Sequence, residues 1–337
     1  MVTTGPDRLR YLSATDVRAA MPPIDERLAL AERTMTALVA DADLPPKIAV
    51  HPRTEGSFAH AMPAYLRGSD PGGADDRLGI KWVAGFGAAN TERGLPAISA
   101  VVVLSDAMTG LPIAILDGGP ITAERTAAVS GVAIARFAPR VVGRAPRAAI
   151  VGAGVQGHSH LPVIGHLLPG VHLAIHDRDA GRAAALATAA GGTVGVGQVR
   201  VTTTVTEATA EADVVVTAAS FTGPEGRQTL HSDALAAGAL IVPIDYATML
   251  AAEVASSAEL FLVDERGQFF ANRDAGQFDG YPDPMATLGE AILAGTVRPA
   301  EGRVVVTHLG VGLADVVFGD AILLRAIDAG LGTILPR

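Results

Sequence analysis

Gly152-Ala153-Gly154-Val155-Gln156-Gly157 follows directly on the apolar run Ala148–Val151 and leads straight into a helix-like segment. Glycines at that spacing, between a strand and a helix, allow a turn tight enough for backbone N–H groups at the helix start to meet a pyrophosphate. The next apolar run ends at Asp177, twenty residues beyond Gly157, where an acidic side chain can accept hydrogen bonds from an adenosine ribose. Arg178 and Arg182 follow it and could pair with a 2′-phosphate. NAD is therefore the expected cofactor and NADP the alternative.

The chain around this turn alternates short apolar runs with helix-like segments from about residue 148. The runs AAIVGAG, VHLAIHD, VRVTTT, ADVVVTAAS, ALIVPID and LFLVDE have the spacing of a parallel doubly wound sheet. Residues 46–117 carry a different pattern. There IAVHP, SFAHAMPAYL, LGIKWVAGF, ISAVVVLSD and LPIAILDGG are separated by turn-rich stretches, as in an antiparallel sheet. The first 40 residues read as helical, with capping-box spacing from Ser13 to Asp16 and Ile24, Leu28, Ala31, Met35 and Leu38 on one face. A further helix is expected to start near Thr122, and a last one, ADVVFGDAILLRAIDAG, to return to the first domain. The expected fold class is α/β, a doubly wound domain over 126–314 plus an α+β domain over 1–125 completed by 315–337.

Composition narrows the function. The chain has no cysteine, which removes disulfides, thiolate catalysis and Cys-built zinc sites together, and no metal site is expected. A net charge of -9 offers no cationic surface to nucleic acid or to an anionic membrane. No apolar run reaches the length of a membrane span and the start lacks a signal peptide's apolar stretch, so a cytoplasmic protein is expected. Among 26 basic side chains only Lys47 and Lys81 are lysine. Lysine's ammonium is compact and its pKa shifts readily on burial, which suits carboxylate capture and proton transfer at a reacting carbon.

The pieces MPAYL, KWVAGF, GLPAISAVVVLSDAMTGLPIAILDGGPITAERTAAVSGVAI and IVGAGVQGHSH occur in the order found in the ornithine cyclodeaminase and mu-crystallin family, which this chain resembles from about residue 44 to its end. The resemblance implies a Rossmann-type domain joined to a substrate-binding and dimerisation domain, hence a homodimer, handling α-amino or α-imino acids with a nicotinamide cofactor. Position by position, it makes Lys81 the active-site lysine, Arg125 a carboxylate-binding arginine and Asp245 the catalytic aspartate. Lys47 stands where a second carboxylate-binding arginine is common. His60 and Met62 fall on the substrate side, and Thr126 joins Gly152, Gly154, Val155, Gln156, Gly157, Asp177 and Arg178 on the cofactor side. A cation in the first turn of a helix is disfavoured by the helix dipole unless an anion shares the site, which agrees with a carboxylate clamp at Arg125.

The chain also departs from the family. His60 replaces a glutamate that would attract a distal ammonium, PIDYATML surrounds Asp245 in place of a Gly-rich charged stretch, and THLGVGLAD lacks the usual Lys-Ser pair. All three count against ornithine as substrate. What the resemblance implies is an oxidoreductase of the amino-acid dehydrogenase or imine reductase type. The alternatives are a redox-neutral cyclodeaminase that releases ammonia and a cofactor-dependent ligand-binding protein without turnover.

Overall fold

From Gly79 to Gly85 every second residue is buried while Trp82 between them is open, the period of a strand with one face against a core. The computed structural model describes residues 8–336 and resolves two units, one reaching up to Arg125 and resuming at Gly310, the other spanning Thr126–Leu309. In the first unit β1 (Arg8–Leu12), β2 (Ala42–Asp43), β3 (Ile48–Val50), β4 (Phe58–Leu66), β5 (Arg77–Gly85), β6 (Ile98–Ser105) and β7 (Pro112–Asp117) share one sheet with the C-terminal strand Thr333–Pro336. Its order is Thr333–Pro336, β1, β7, β6, β5, β4, β2, with β3 also on β4. All pairs are antiparallel except β1 with β7.

Register decides which side chains meet. Met62 on β4 lies opposite Lys81 on β5, and Lys81 opposite Val102 on β6. The Gly312–Asp328 helix covers this face so closely that a Cβ on Gly312 would stand 2.6 Å from the Met62 carbonyl oxygen. The other face is open among the described residues. Ile48, Val50, Trp82, Val101 and Tyr11 are all exposed there, in register across β3, β5, β6 and β1.

Two expectations change. The first 40 residues are not all helical: Arg8–Leu12 is a strand, set between β7 and Thr333–Pro336, and Leu12 is fully buried at its end. Residues 1–7 lie outside the described residues. The Ser13–Asp16 capping box forms as expected, and helices follow at Ala14–Ala19 and Ile24–Ala37. The helix expected near Thr122 begins a turn earlier and runs Gly118–Phe137, so Arg125 is not in its first turn. The dipole argument for an anion at Arg125 therefore fails, and the anion has another source described below.

The second unit holds β8 (Arg147–Val151), β9 (Val171–His176), β10 (Val196–Val201), β11 (Val214–Thr217), β12 (Leu240–Pro243), β13 (Leu260–Val263), β14 (Ala286–Thr287) and β15 (Val304–Thr307). They form a parallel sheet in the order β10, β9, β8, β11, β12, β15, β13, β14. The winding reverses between β8 and β11, the crevice where such sheets bind ligands. Strands β11, β12, β13 and β15 are buried at every residue, which explains their unbroken apolar runs. Phe261, Phe269, Phe278 and Tyr281 supply the bulk of the core beside them. No helix among the described residues is long and apolar enough to cross a membrane.

Leu12→Ala tests the unexpected first strand. With its side chain wholly buried, the truncation should cost about 2–5 kcal/mol of unfolding free energy in urea titration; a loss under about 0.5 kcal/mol would mean that β1 contributes nothing to the core.

Candidate active site

Lys81 points from the middle of β5 into the interior of the first unit and is only 1% exposed. Its Nζ lies 2.6 Å from Asp315 Oδ2, and Arg125 Nε donates to Asp315 Oδ1 at 3.1 Å. Arg125 is 5% exposed and Asp315 fully buried. One carboxylate thus bridges two cations contributed by β5 and the Gly118–Phe137 helix, while the carboxylate itself comes from the first turn of the Gly312–Asp328 helix. Asp315 was not anticipated. It is an acidic residue near the start of a helical stretch that also carries Asp320, Arg325 and Asp328, and so reads as a helix-start residue.

Asp315 pairs with Nε of the guanidinium, which also carries the terminal nitrogens Nη1 and Nη2. They lie against Gly310, whose φ of +79° and missing side chain make the room: a Cβ there would stand 2.5 Å from Nη1. The planar, two-pronged edge of a guanidinium is suited to a carboxylate.

Charge around Lys81 is uneven. Burial brings its pKa down to about 7; Asp315 opposes this, and Arg125 and Lys47 add to it. His60, near Lys81 on β4 and stacked on Phe58, is lowered to about 4 by burial first and then by Lys47, His51 and Lys81. The imidazole is therefore neutral at physiological pH and surrounded by cations. The sequence-expected residues Lys47, His60, Met62, Lys81 and Arg125 are thus gathered in one unit.

In the second unit, β8 runs into Gly152 at φ +108°, where a Cβ would stand 2.4 Å from the Ala218 carbonyl oxygen. Gly157 meets the Gly152 carbonyl just as closely. Gly154 differs: a Cβ there meets nothing within 4 Å, and it caps the Val155–Leu167 helix without any side chain engaging the first N–H groups. A helix start with a glycine cap and open space at it fits a pyrophosphate. Asp177 holds the turn together, since its Oδ2 accepts from Ala153 N at 2.7 Å and its Oδ1 from Asp179 N at 2.8 Å. Val155 and Arg178 are exposed beside it, Gln156 is half-buried, and Thr126 is buried at the first position of the unit.

Asp245 follows β12 at the carboxyl edge of the sheet and is 2% exposed. Thr217 Oγ1 and Ala219 N donate to its two oxygens, both at 2.9 Å. Burial outweighs these donors and raises its pKa to about 7. A carboxyl poised there can give or take a proton at neutral pH. Tyr246 beside it is held at φ +58°, strained for a residue with a side chain. A buried relay also escaped the sequence: His160 Nδ1 donates to the Gln156 carbonyl at 2.6 Å, Ser130 Oγ lies 2.8 Å from His160 Nε2, and His308 Nε2 lies 2.9 Å from Ser130 Oγ. The acceptor-only carbonyl fixes the tautomers, so Ser130 donates to His160 and His308 donates to Ser130.

The family model for the ornithine cyclodeaminase/mu-crystallin family matches residues 12–316. The chain belongs to this family. It is 31% identical over 333 residues to nodulation efficiency protein NfeD of Rhizobium meliloti, covering 97% of this chain and 98% of that protein. To the ketimine reductase mu-crystallin of Mus musculus it is 30% identical over 264 residues, 77% of this chain and 78% of that one. Its fold matches that of Thermococcus litoralis Δ1-pyrroline-2-carboxylate reductase, solved with NADH and L-proline, at a TM-score of 0.81 and 24% identity over 96% of this chain and 99% of that one.

The glycines of the turn differ in purpose, and substitution should separate them. Gly152→Ala combines strain with collision and should cost about 1–3 kcal/mol in ligand-free thermal unfolding. Gly154→Ala should leave that stability within about 0.5 kcal/mol, because the added methyl has open space. Equal losses at both would mean that the space at Gly154 is not open.

Proposed function

We propose that the chain is an oxidoreductase that uses NAD to act at the α-carbon of an amino or imino acid. One observation carries this: the buried Arg125 held by Asp315 beside Lys81, with the cation of Lys47 near them, in a chain that also bears a dinucleotide turn. We assign the first unit to substrate binding and dimerisation and the second to the dinucleotide. Asp177 favours NAD over NADP, since a carboxylate repels a 2′-phosphate.

When bound, the nicotinamide accepts or supplies the hydride at the α-carbon. Arg125 and Lys47 hold the substrate carboxylate, and Lys81 carries the proton nearest to it. Asp245 takes a proton from water as it adds to the iminium in the oxidative direction, and returns one in the reductive direction. Both proton carriers sit near neutrality, so reductive kcat/KM should fall as pH rises through about 7. A diamino acid is disfavoured because its distal ammonium would meet neutral His60 among Lys47, His51 and Lys81. That weighs against cyclodeamination as the main activity. A cytoplasmic location accords with a cysteine-free chain using a dinucleotide.

Absorbance of NADH during incubation with amino acids, with keto acids plus amines, and with cyclic imines tests the activity. Turnover of NADH is expected. Ammonia release without net NADH change would make the chain a cyclodeaminase, and thermal stabilisation by ligands without either would make it a binder. In the active protein, Asp245→Asn should lower kcat by roughly 10²- to 10⁴-fold, while Arg125→Ala should chiefly raise KM, because the carboxylate it grips keeps its charge throughout the reaction.

The bare sheet face calls for a partner. Trp82 is 45% exposed and Val101 39% in mid-sheet, amid Ile48, Val50 and Tyr11, and a second copy related by a two-fold axis would cover them. Light scattering at micromolar concentration should give at least a dimer; a stable monomer would refute that assignment.

A further inference from the structure

Lys81, Arg125 and Asp315 are all shut inside the first unit, and their charges do not cancel. With Lys81 protonated the triad carries one net positive charge; with Lys81 neutral it carries none. Arginine stays charged at any working pH, so Lys81 is the member that can adjust. A carboxylate arriving on the outward edge of Arg125 reverses the balance. Neutral Lys81 would then leave one net negative charge, and protonated Lys81 none. A net charge is costly in a dry interior, so the free and liganded triads are each balanced at a different protonation state of the same lysine.

We propose that capture of a carboxylate ligand by the first unit is coupled to uptake of one proton, with Lys81 as acceptor and Asp315 as the positioning residue that makes the exchange even. It rests on Arg125 being a carboxylate clamp. The charged groups facing Lys81 are Asp315 from the Gly312–Asp328 helix, Arg125 from the Gly118–Phe137 helix and Lys47 ahead of β3, with the titratable His60 on β4 and apolar Val102 opposite on β6. Lys47 is only half-buried, so water screens it. His60, held near 4, stays neutral above neutrality and cannot be the acceptor there. The Lys81 pKa of about 7 in the free protein puts the exchange within the physiological range. A bound carboxylate raises that pKa. Affinity for the ligand is therefore full below about 7 and declines, by up to about tenfold per pH unit, as pH rises from there to the liganded value.

Calorimetric titration of the whole protein with pyruvate as an unreactive carboxylate, without cofactor and in buffers of differing ionisation enthalpy, reads the proton count directly. At about pH 8 the expected uptake is about half to one proton per site, and at about pH 5.5, where Lys81 is charged in both states, close to zero. Asp315→Asn should still bind pyruvate, but with uptake at pH 8 lost, because Arg125 and the ligand then balance with Lys81 neutral. The wild-type comparison of the two pH values stands even if that variant does not fold. Pyruvate binding at pH 8 without proton uptake, or uptake undiminished at pH 5.5 or in Asp315→Asn, would overturn the coupling. Absence of any pyruvate binding would instead overturn the carboxylate clamp on which it rests.

Discussion

The contact of Asp315 with Lys81 and Arg125 ties together three segments that the chain supplies about 45 to 235 residues apart. The Gly312–Asp328 helix returns to the first unit only after the whole second unit has been made, and its first turn carries the carboxylate that both cations need. Removing one member of such a buried set leaves an uncompensated charge and typically costs about 3–5 kcal/mol. Apolar packing sets the distance at which the set can form. Gly312 lets the helix sit against the Met62 carbonyl, and Gly310 leaves space for the guanidinium, so the glycines of this return are as necessary as the charges.

Burial places two titratable groups near neutrality from opposite directions. Lys81 falls to about 7 because its ammonium is desolvated beside other cations, and Asp245 rises to about 7 because desolvation of its carboxylate outweighs the hydroxyl and backbone amides that donate to it. Burial of Asp245 is opposed by hydrogen-bond donors, whereas Lys81 keeps an anion beside it. In the function we propose, the carboxyl exchanges a proton with what enters, while the lysine's proton depends on the total charge around Arg125.

Local pattern made most of this fold legible. Alternation exposed β4 through β7, unbroken apolar runs marked the parallel strands, and the glycine turn located the helix Val155–Leu167. What failed depended on partners remote in sequence or on a breaker that does not break. Arg8–Leu12 alternates charge with apolar residues over only five positions and becomes a strand because Thr333–Pro336 and β7 flank it. The Gly118–Phe137 helix starts through Gly118, Gly119 and Pro120, which look like a turn; proline is tolerated there because the first N–H groups of a helix have no intrahelical partner. Lys81 was conspicuous as one of two lysines among 26 basic side chains, whereas Asp315 was one of 35 acidic ones with nothing local to single it out.

The rarity of lysine then has a physical sense at position 81. An arginine there would keep its charge under all conditions, leaving the triad permanently positive without ligand. At position 125 the requirements are opposite. A fixed charge and a two-pronged edge are needed, one side for Asp315 and the other for a ligand, and a single ammonium cannot offer two directed edges. Three buried charges with one adjustable member can stay balanced both with and without an anionic guest, and lysine on β5 with arginine on the helix gives the set that member.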